Sequence, residues 1–217
     1  MPTIQPLIPG CYFHIYNKGV NGINLFCKSD NYEYFLRLYD QHIDPVADTF
    51  AWCLLGNHFH LLVRIKEAED IVIERIPKRG GKTLSGFQTL TGVEKDEKLT
   101  QFASKSFSNL FNAYAQALNK QQGRQGTLFE RPFRRKLVGS EEYFRQLVVY
   151  IHSNPVHHRF TDNFNDYPWS SYGSIVSAKP TKIQRNQVLG WFDGQSNFID
   201  THRQIIDFDF IDHLIIE

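Results

Sequence analysis

The chain has 217 residues, 41% of them hydrophobic and 22% charged, with a net charge of +1. This is enough apolar matter for the core of one large domain, or of one domain with an appendage. No apolar run reaches the length of a membrane span and no charged-then-apolar leader opens the chain, so a cytoplasmic protein with no membrane partner is expected.

Residues 11–16 alternate as a first strand, and Asn17-Lys18-Gly19 closes it with turn chemistry. Asp30 is placed to cap a helix over 31–42, which Asp44-Pro45 breaks. Residues 49–55 and 58–65 read as two strands joined at Gly56-Asn57, giving the β-α-β-β opening of a ferredoxin-like unit. The stretch 67–99 is the least patterned. Its Gly80-Gly81-Lys82-Thr83 resembles the end of a P-loop, but Ile76 stands where that motif needs glycine, which discounts ATP binding.

Phe107, Leu110, Phe111, Tyr114 and Leu118 recur at helical spacing and predict a helix over 100–122 with Gly123 as its stop. A strand over 133–138 follows. Ser140 then caps a second long helix with Glu141 and Glu142 in its first turn, and Asn154-Pro155 is expected to end it. Beyond Tyr172 only a short helix over 187–192 is suggested. Cys11, Cys27 and Cys53 form no C-x-x-C pair and read as buried thiols, not as a disulfide framework or zinc knuckle.

The chemistry concentrates in two places. In His58-Phe59-His60 the two imidazoles are two residues apart on one strand, so they share a face while Phe59, Leu61 and Val63 take the other. Neutral imidazole binds divalent metals, although a pair of hydrogen-bonded core histidines fits the same pattern. On the helix after Ser140, Tyr143, Tyr150 and Asn154 form a stripe beside the apolar face, with Tyr150 and Asn154 four apart and hence neighbours. A phenol can attack phosphorus and an amide oxygen can coordinate a hard cation. Tyr114 lies inside its own apolar stripe and reads as packing with a hydrogen-bonded hydroxyl.

Charge is unevenly spread. Lys120, Arg124, Arg131, Arg134, Arg135 and Lys136, against Glu130, give 120–136 a net +5, which suits a polyanion or a solvated loop. Residues 193–217 carry a net −5.

The motif Gly56-Asn57-His58-Phe59-His60-Leu61-Leu62-Val63, followed by Tyr150-Ile151-His152-Ser153-Asn154-Pro155-Val156, resembles the HUH transposases with a single tyrosine, and most of all their REP-associated branch. Tyr16-Asn17-Lys18-Gly19, Gly126-Thr127-Leu128-Phe129-Glu130 and Tyr167-Pro168-Trp169-Ser170-Ser171-Tyr172 extend the likeness over residues 12–172. The resemblance implies an α+β fold with a ferredoxin-like antiparallel sheet, helices packed on one face, and a C-terminal extension. Residues 1–172 would form the transposase-like domain, 66–99 an insertion, and 173–217 the extension.

The resemblance also implies the activity: cleavage and rejoining of single-stranded DNA near hairpins through a 5′-phosphotyrosine on Tyr150. A divalent metal, Mg²⁺ or Mn²⁺, would bind His58, His60 and Asn154, with His152, His157 or Gln146 as alternatives for the third ligand. Lys120, Arg124, Arg131, Arg134, Arg135 and Lys136 would contact the DNA backbone, and Phe129 or Phe133 could stack on a base. Insertion-sequence relatives work as dimers with exchanged tyrosine helices, which leaves a homodimer and a monomer both open. A catalytically silent DNA- or RNA-hairpin-binding regulator is the alternative function, and a metal-dependent phosphoester hydrolase a third.

Overall fold

Period-two alternation builds four strands in the computed structural model, which describes residues 5–71 and 92–204. They are β1 (Tyr12–Lys18), β2 (Ala47–Leu54), β3 (His58–Ile65) and β4 (Arg134–Val138). All pair antiparallel in the order β2-β3-β1-β4. Helix α1 (Ser29–His42) connects β1 to β2, and α2 (Gly92–Gln122) lies between β3 and β4. This is the ferredoxin-like α+β arrangement that the motifs imply.

Register decides which side chains meet. Tyr16 of β1 stands opposite His60 of β3 and opposite Arg134 of β4, so these three share one row and one face. On the other face Phe13, Ile15, Phe59, Leu61 and Val63 pack beneath α1 and α2, against Phe35, Phe107, Leu110 and Tyr114. The Tyr114 hydroxyl donates to the Leu25 carbonyl at 2.6 Å, the packing role expected of it.

Helices on one face describes α1 and α2, and the structure adds a second layer. Helix α3 (Glu141–His157) covers the histidine face, where Leu147, Val148 and Ile151 meet Ala51, Cys53 and Leu62. A bulge between Thr49 and Ala51 turns Phe50 onto that same face. Both faces of β3 are therefore buried, and along the strand only Arg64 is partly exposed. Residues after 172 join this second core. Helices α4 (Tyr172–Val176), α5 (Arg185–Trp191) and α6 (Gln195–Arg203) bury Ile175, Val188 and Phe198 in it.

Three expectations about helices need correction. Helix α1 begins at Ser29 with Lys28 at its N-cap, so Asp30 stands in the first turn and does not cap it. Helix α2 begins at Gly92, well before residue 100. Helix α3 runs through Asn154-Pro155 to His157. Proline there forfeits a single N–H, and the turn still closes because His158 N donates to Asn154 O at 2.9 Å and Phe160 N to Pro155 O at 2.8 Å. Ser140 caps α3 as expected, its Oγ accepting from Tyr143 N at 3.2 Å. The Gly80-Gly81-Lys82-Thr83 segment, with most of the stretch read as an insertion, lies outside the described residues. Among the described residues no helix is long and apolar enough to cross a membrane.

Candidate active site

The turn before β3 sets up the first histidine. Gly19 N at the end of β1 donates to Asn57 O at 2.8 Å, while Leu25 N and Phe26 N both donate to Gly56 O. Gly19 has to be glycine, since a Cβ there would lie 2.1 Å from the Ile23 carbonyl oxygen. Asn57 is thereby held so that its Oδ1 meets His58 Nδ1 at 2.7 Å. An amide oxygen accepts, so Nδ1 carries the proton and Nε2 of His58 is a bare lone pair.

His60 is held from the neighbouring strand. His14 of β1 places its Nε2 3.0 Å from His60 Nδ1, and Tyr16 stacks on the His14 ring at 4.7 Å. The His58 and His60 rings lie 5.2 Å apart and nearly perpendicular. Burial holds all three imidazoles neutral. His14 is pushed down to about 3, by desolvation first and by Lys136 second. His58 is also pushed down to about 3, by desolvation first, then by His158 and Lys18, with Asn154 opposing weakly. His60 falls well below the usual imidazole range, chiefly through desolvation.

Helix α3 brings the other half. Tyr150 is buried, with its ring centroid 5.4 Å from that of His60 and almost perpendicular to it, and 6.4 Å from that of His14. The phenol thus comes from the same chain as the histidines. One turn on, Asn154 is fully buried and its Nδ2 donates to the Tyr150 carbonyl at 2.8 Å. That bond fixes the amide and leaves Oδ1 without a partner. His58 Nε2, His60 Nε2 and Asn154 Oδ1 are all buried without a hydrogen-bond partner. Each such atom would ordinarily cost about 1–3 kcal/mol. Two imidazole nitrogens and an amide oxygen of this kind suit a divalent cation. Among the described residues no group of three His, Cys, Asp or Glu side chains could hold a metal, so an amide has to complete such a set.

Of the rival third ligands, both histidines are placed elsewhere, whereas Gln146 shares the helix stripe of Tyr150 and Asn154. His152 points away from the pair, with Nδ1 2.9 Å from His202 Nε2 and Nε2 2.8 Å from Ser171 Oγ. His157 is exposed, its ring 4.9 Å from that of His158, and Gln146 is half-buried one turn before Tyr150. His158, whose ring lies 4.6 Å from His58, was not singled out by its spacing. Neither was His14. Its strand position alternates correctly with Tyr16, but nothing in one strand tells which neighbour it will face.

The basic residues are divided. Lys18 and Arg134 line the opening beside His58, His60 and Tyr16, and each lies within 4.0 Å of the Glu130 carboxylate. Lys136 shares that face, its ammonium 5.8 Å from the Tyr143 ring centroid. Arg135 points to the opposite face, where Nη1 donates to Ser104 Oγ at 2.9 Å. Arg124 folds back on Asn119 and Thr127, and Lys120 is exposed in the last turn of α2.

No family model matches the chain. A protein of Haemophilus influenzae provisionally named a REP-associated tyrosine transposase is 25% identical over 132 residues, which are 61% of this chain and 62% of that protein. A solved structure of a REP-associated tyrosine transposase bound to a REP hairpin superposes with a TM-score of 0.52 at 17% identity, over 83% of this chain and 88% of that one. The likeness carried by the motifs thus extends to a curated relative in sequence and to a solved member in fold.

Proposed function

We infer that this chain, a relative of the REP-associated tyrosine transposases, cleaves and rejoins single-stranded DNA beside a hairpin with Tyr150 as its nucleophile. The observation that carries the reading is the convergence of the Tyr150 ring, 5.4 Å from His60, with three buried atoms that lack partners on His58, His60 and Asn154. A site built only for packing has no reason to bury three such atoms together.

The residues divide the work as follows. Tyr150 attacks the scissile phosphorus through its phenolic oxygen, which gives up its proton to solvent. The bond from phosphorus to the 3′ oxygen breaks, that oxygen takes up a proton, and a 5′-phosphotyrosine diester remains. Attack by a 3′ hydroxyl reverses the step and restores the strand. The phosphodiester energy is conserved, so no nucleotide hydrolysis is needed. His58, His60 and Asn154 would hold a divalent ion, Mg²⁺ or Mn²⁺, which supplies Lewis acidity to the phosphate when bound. Two imidazole donors favour the softer Mn²⁺ of the pair. Asn57 and His14 fix the ring orientations of the two histidines. Lys18 and Arg134, at the mouth of the site, would contact the flanking phosphates.

The named activity of the hairpin-bound neighbour supports hairpin DNA as substrate. The test is incubation of the protein and Mn²⁺ with a hairpin oligonucleotide carrying a single-stranded flank. A denaturant-resistant protein–DNA adduct is expected, absent from Tyr150→Phe. Cleavage that survives in Tyr150→Phe would point instead to a phosphoester hydrolase. Tight binding without an adduct in the wild type would leave a silent hairpin-binding regulator.

A further inference from the structure

The helix that supplies the phenol runs on past Asn154 to a further imidazole, His158. Tyr150, Asn154 and His158 are spaced four apart, so they follow one another along one side of α3 and its C-cap. Asn154 stands midway, and the two ends are separated by two turns, about 12 Å along the axis. The rings repeat this order. Tyr150 lies 5.4 Å from His60, His60 5.2 Å from His58, and His58 4.6 Å from His158. Phenol and His158 thus flank the histidine pair at opposite ends, and His158 is exposed where a DNA strand can reach it.

The surrounding chain fixes His158 there. Its backbone N–H donates to Asn154 O at 2.9 Å and closes the last turn. Arg159 then takes a left-handed conformation, φ 59°, at a cost of about 1–2 kcal/mol for a residue with a Cβ. The contacts that follow hold it in place. Phe160 N donates to Pro155 O at 2.8 Å, and the Phe160 ring covers Gly56, where a Cβ would lie 3.3 Å from Cε1. The end of α3 is thereby tied to the turn that sets up His58.

An in-line displacement at phosphorus puts the attacking and leaving oxygens on opposite sides. With Tyr150 attacking from one end of the histidine pair, the departing 3′ oxygen emerges toward the other. We propose that the His158 imidazole donates an N–H hydrogen bond to the 3′ oxygen as its bond to phosphorus breaks. The proposal rests on the DNA-cleaving reading and adds a catalytic residue to it. The ring keeps its proton. The electron pair of the broken bond goes to the 3′ oxygen, the hydrogen bond offsets its charge, and solvent delivers the proton that neutralises it. In rejoining, the same contact orients the attacking 3′ hydroxyl.

Replacing the leaving atom tests this. The hairpin oligonucleotide carries either oxygen or sulfur as the bridging 3′ atom at the mapped cleavage position, and single-turnover adduct formation is followed at saturating Mn²⁺. A thiolate is a far weaker base than an alkoxide and departs without a donor. His158→Ala should therefore slow the oxygen substrate about ten- to a hundredfold and leave the sulfur substrate within about twofold of wild type. His158→Gln, which keeps an N–H but has no ring to titrate, should recover most of the lost rate. Thermal melting checks each variant; if alanine unfolds the chain, His158→Phe takes its place. Loss through the cation would slow both substrates alike, and that result, or no slowing at all, overturns the proposal. A Gln variant as slow as the Ala variant overturns it too. Tyr150→Phe should form no adduct with either substrate. If the wild type itself forms none, the DNA-cleaving reading falls and the role of His158 with it.

Discussion

His60 can act as a ligand in only one of its neutral tautomers. If His14 donated to His60 Nδ1, the proton of His60 would sit on Nε2 and point into the site. The ligand form requires His60 Nδ1–H to donate to His14 Nε2 across their 3.0 Å contact. With its own proton on Nδ1, a neutral His14 would be the acceptor that selects this tautomer. Replacing it with phenylalanine keeps a ring of similar shape but removes the acceptor. His14→Phe should lower Mn²⁺ affinity by about ten- to a hundredfold in calorimetric titration, the usual cost of losing an outer partner of a ligating histidine. Hairpin binding should hold, because its phosphate contacts lie elsewhere. Unchanged Mn²⁺ affinity would mean that His14 merely packs. Asn57 presents the same logic for His58, but there the amide oxygen can only accept, so the tautomer is already decided.

At the scale of the element, α3 faces two ways. Tyr150 and Asn154 look onto the histidines, while His152 looks onto the C-terminal helices. The hydrogen bonds on that side assign every proton: Trp52 N donates to Ser171 Oγ, Ser171 to His152 Nε2, His152 Nδ1 to His202 Nε2, and His202 Nδ1 to Phe198 O, all between 2.7 and 2.9 Å. The chain ties β2, α3 and α6 together and fixes the helix that carries Tyr150. His202→Ala would strand the His152 Nδ1–H in the core and should cost about 1–3 kcal/mol in denaturant unfolding. It should also make the protein sensitive to acid in a different way. Burial pushes His202 down to about 4 from an ordinary 6.5. The unfolded chain therefore binds a proton that the folded chain refuses, and stability present above pH 6.5 falls as the pH drops toward 4. His202 accounts for up to about 3 kcal/mol of that loss. The unfolding free energy of the wild type should decline over this window, and His202→Ala should flatten the decline. An unchanged slope would remove His202 from the account.

Most elements were legible because they carry enough periods to show a pattern. Strand β3, α1 and the body of α2 each repeat their apolar spacing over two or more turns or pleats. The C-terminal helices α4 and α6 span five and nine residues, too short for a 3.6-residue period to declare itself. The end of α3 was misread because the bias against helix before proline is a local preference, and tertiary packing of the last turn overrode it. Half of the site was written within single elements: the histidine pair on one strand, and Tyr150 with Asn154 on one helix. His14 and the His152–His202 contact, 50 residues apart, belong to the fold and not to any local pattern.

For the whole molecule the consequence is one of charge. Lys120, Arg124, Arg131, Arg134, Arg135 and Lys136 look like one strip in sequence, but β4 is a strand at the edge of the sheet, so successive cations alternate faces. Arg134 and Lys136 share the histidine face, Arg135 takes the other, and Lys120 lies at the end of α2. DNA positioned for cleavage should therefore use Arg134 and spare Lys120. Each phosphate contact contributes about 0.7 to 0.9 to the slope of log Kobs against log salt, the lower figure for single strands. Arg134→Ala should reduce that slope by about this amount, whereas Lys120→Ala should leave it alone, measured by anisotropy of a labelled hairpin over a salt series. The ion pair of Arg134 with Glu130, at 3.7 Å and half-exposed, is too weak to withhold the guanidinium from a phosphate. Equal losses from both variants would mean that the DNA wraps past the end of α2, and an unchanged slope in Arg134→Ala would move the backbone path off the edge strand altogether.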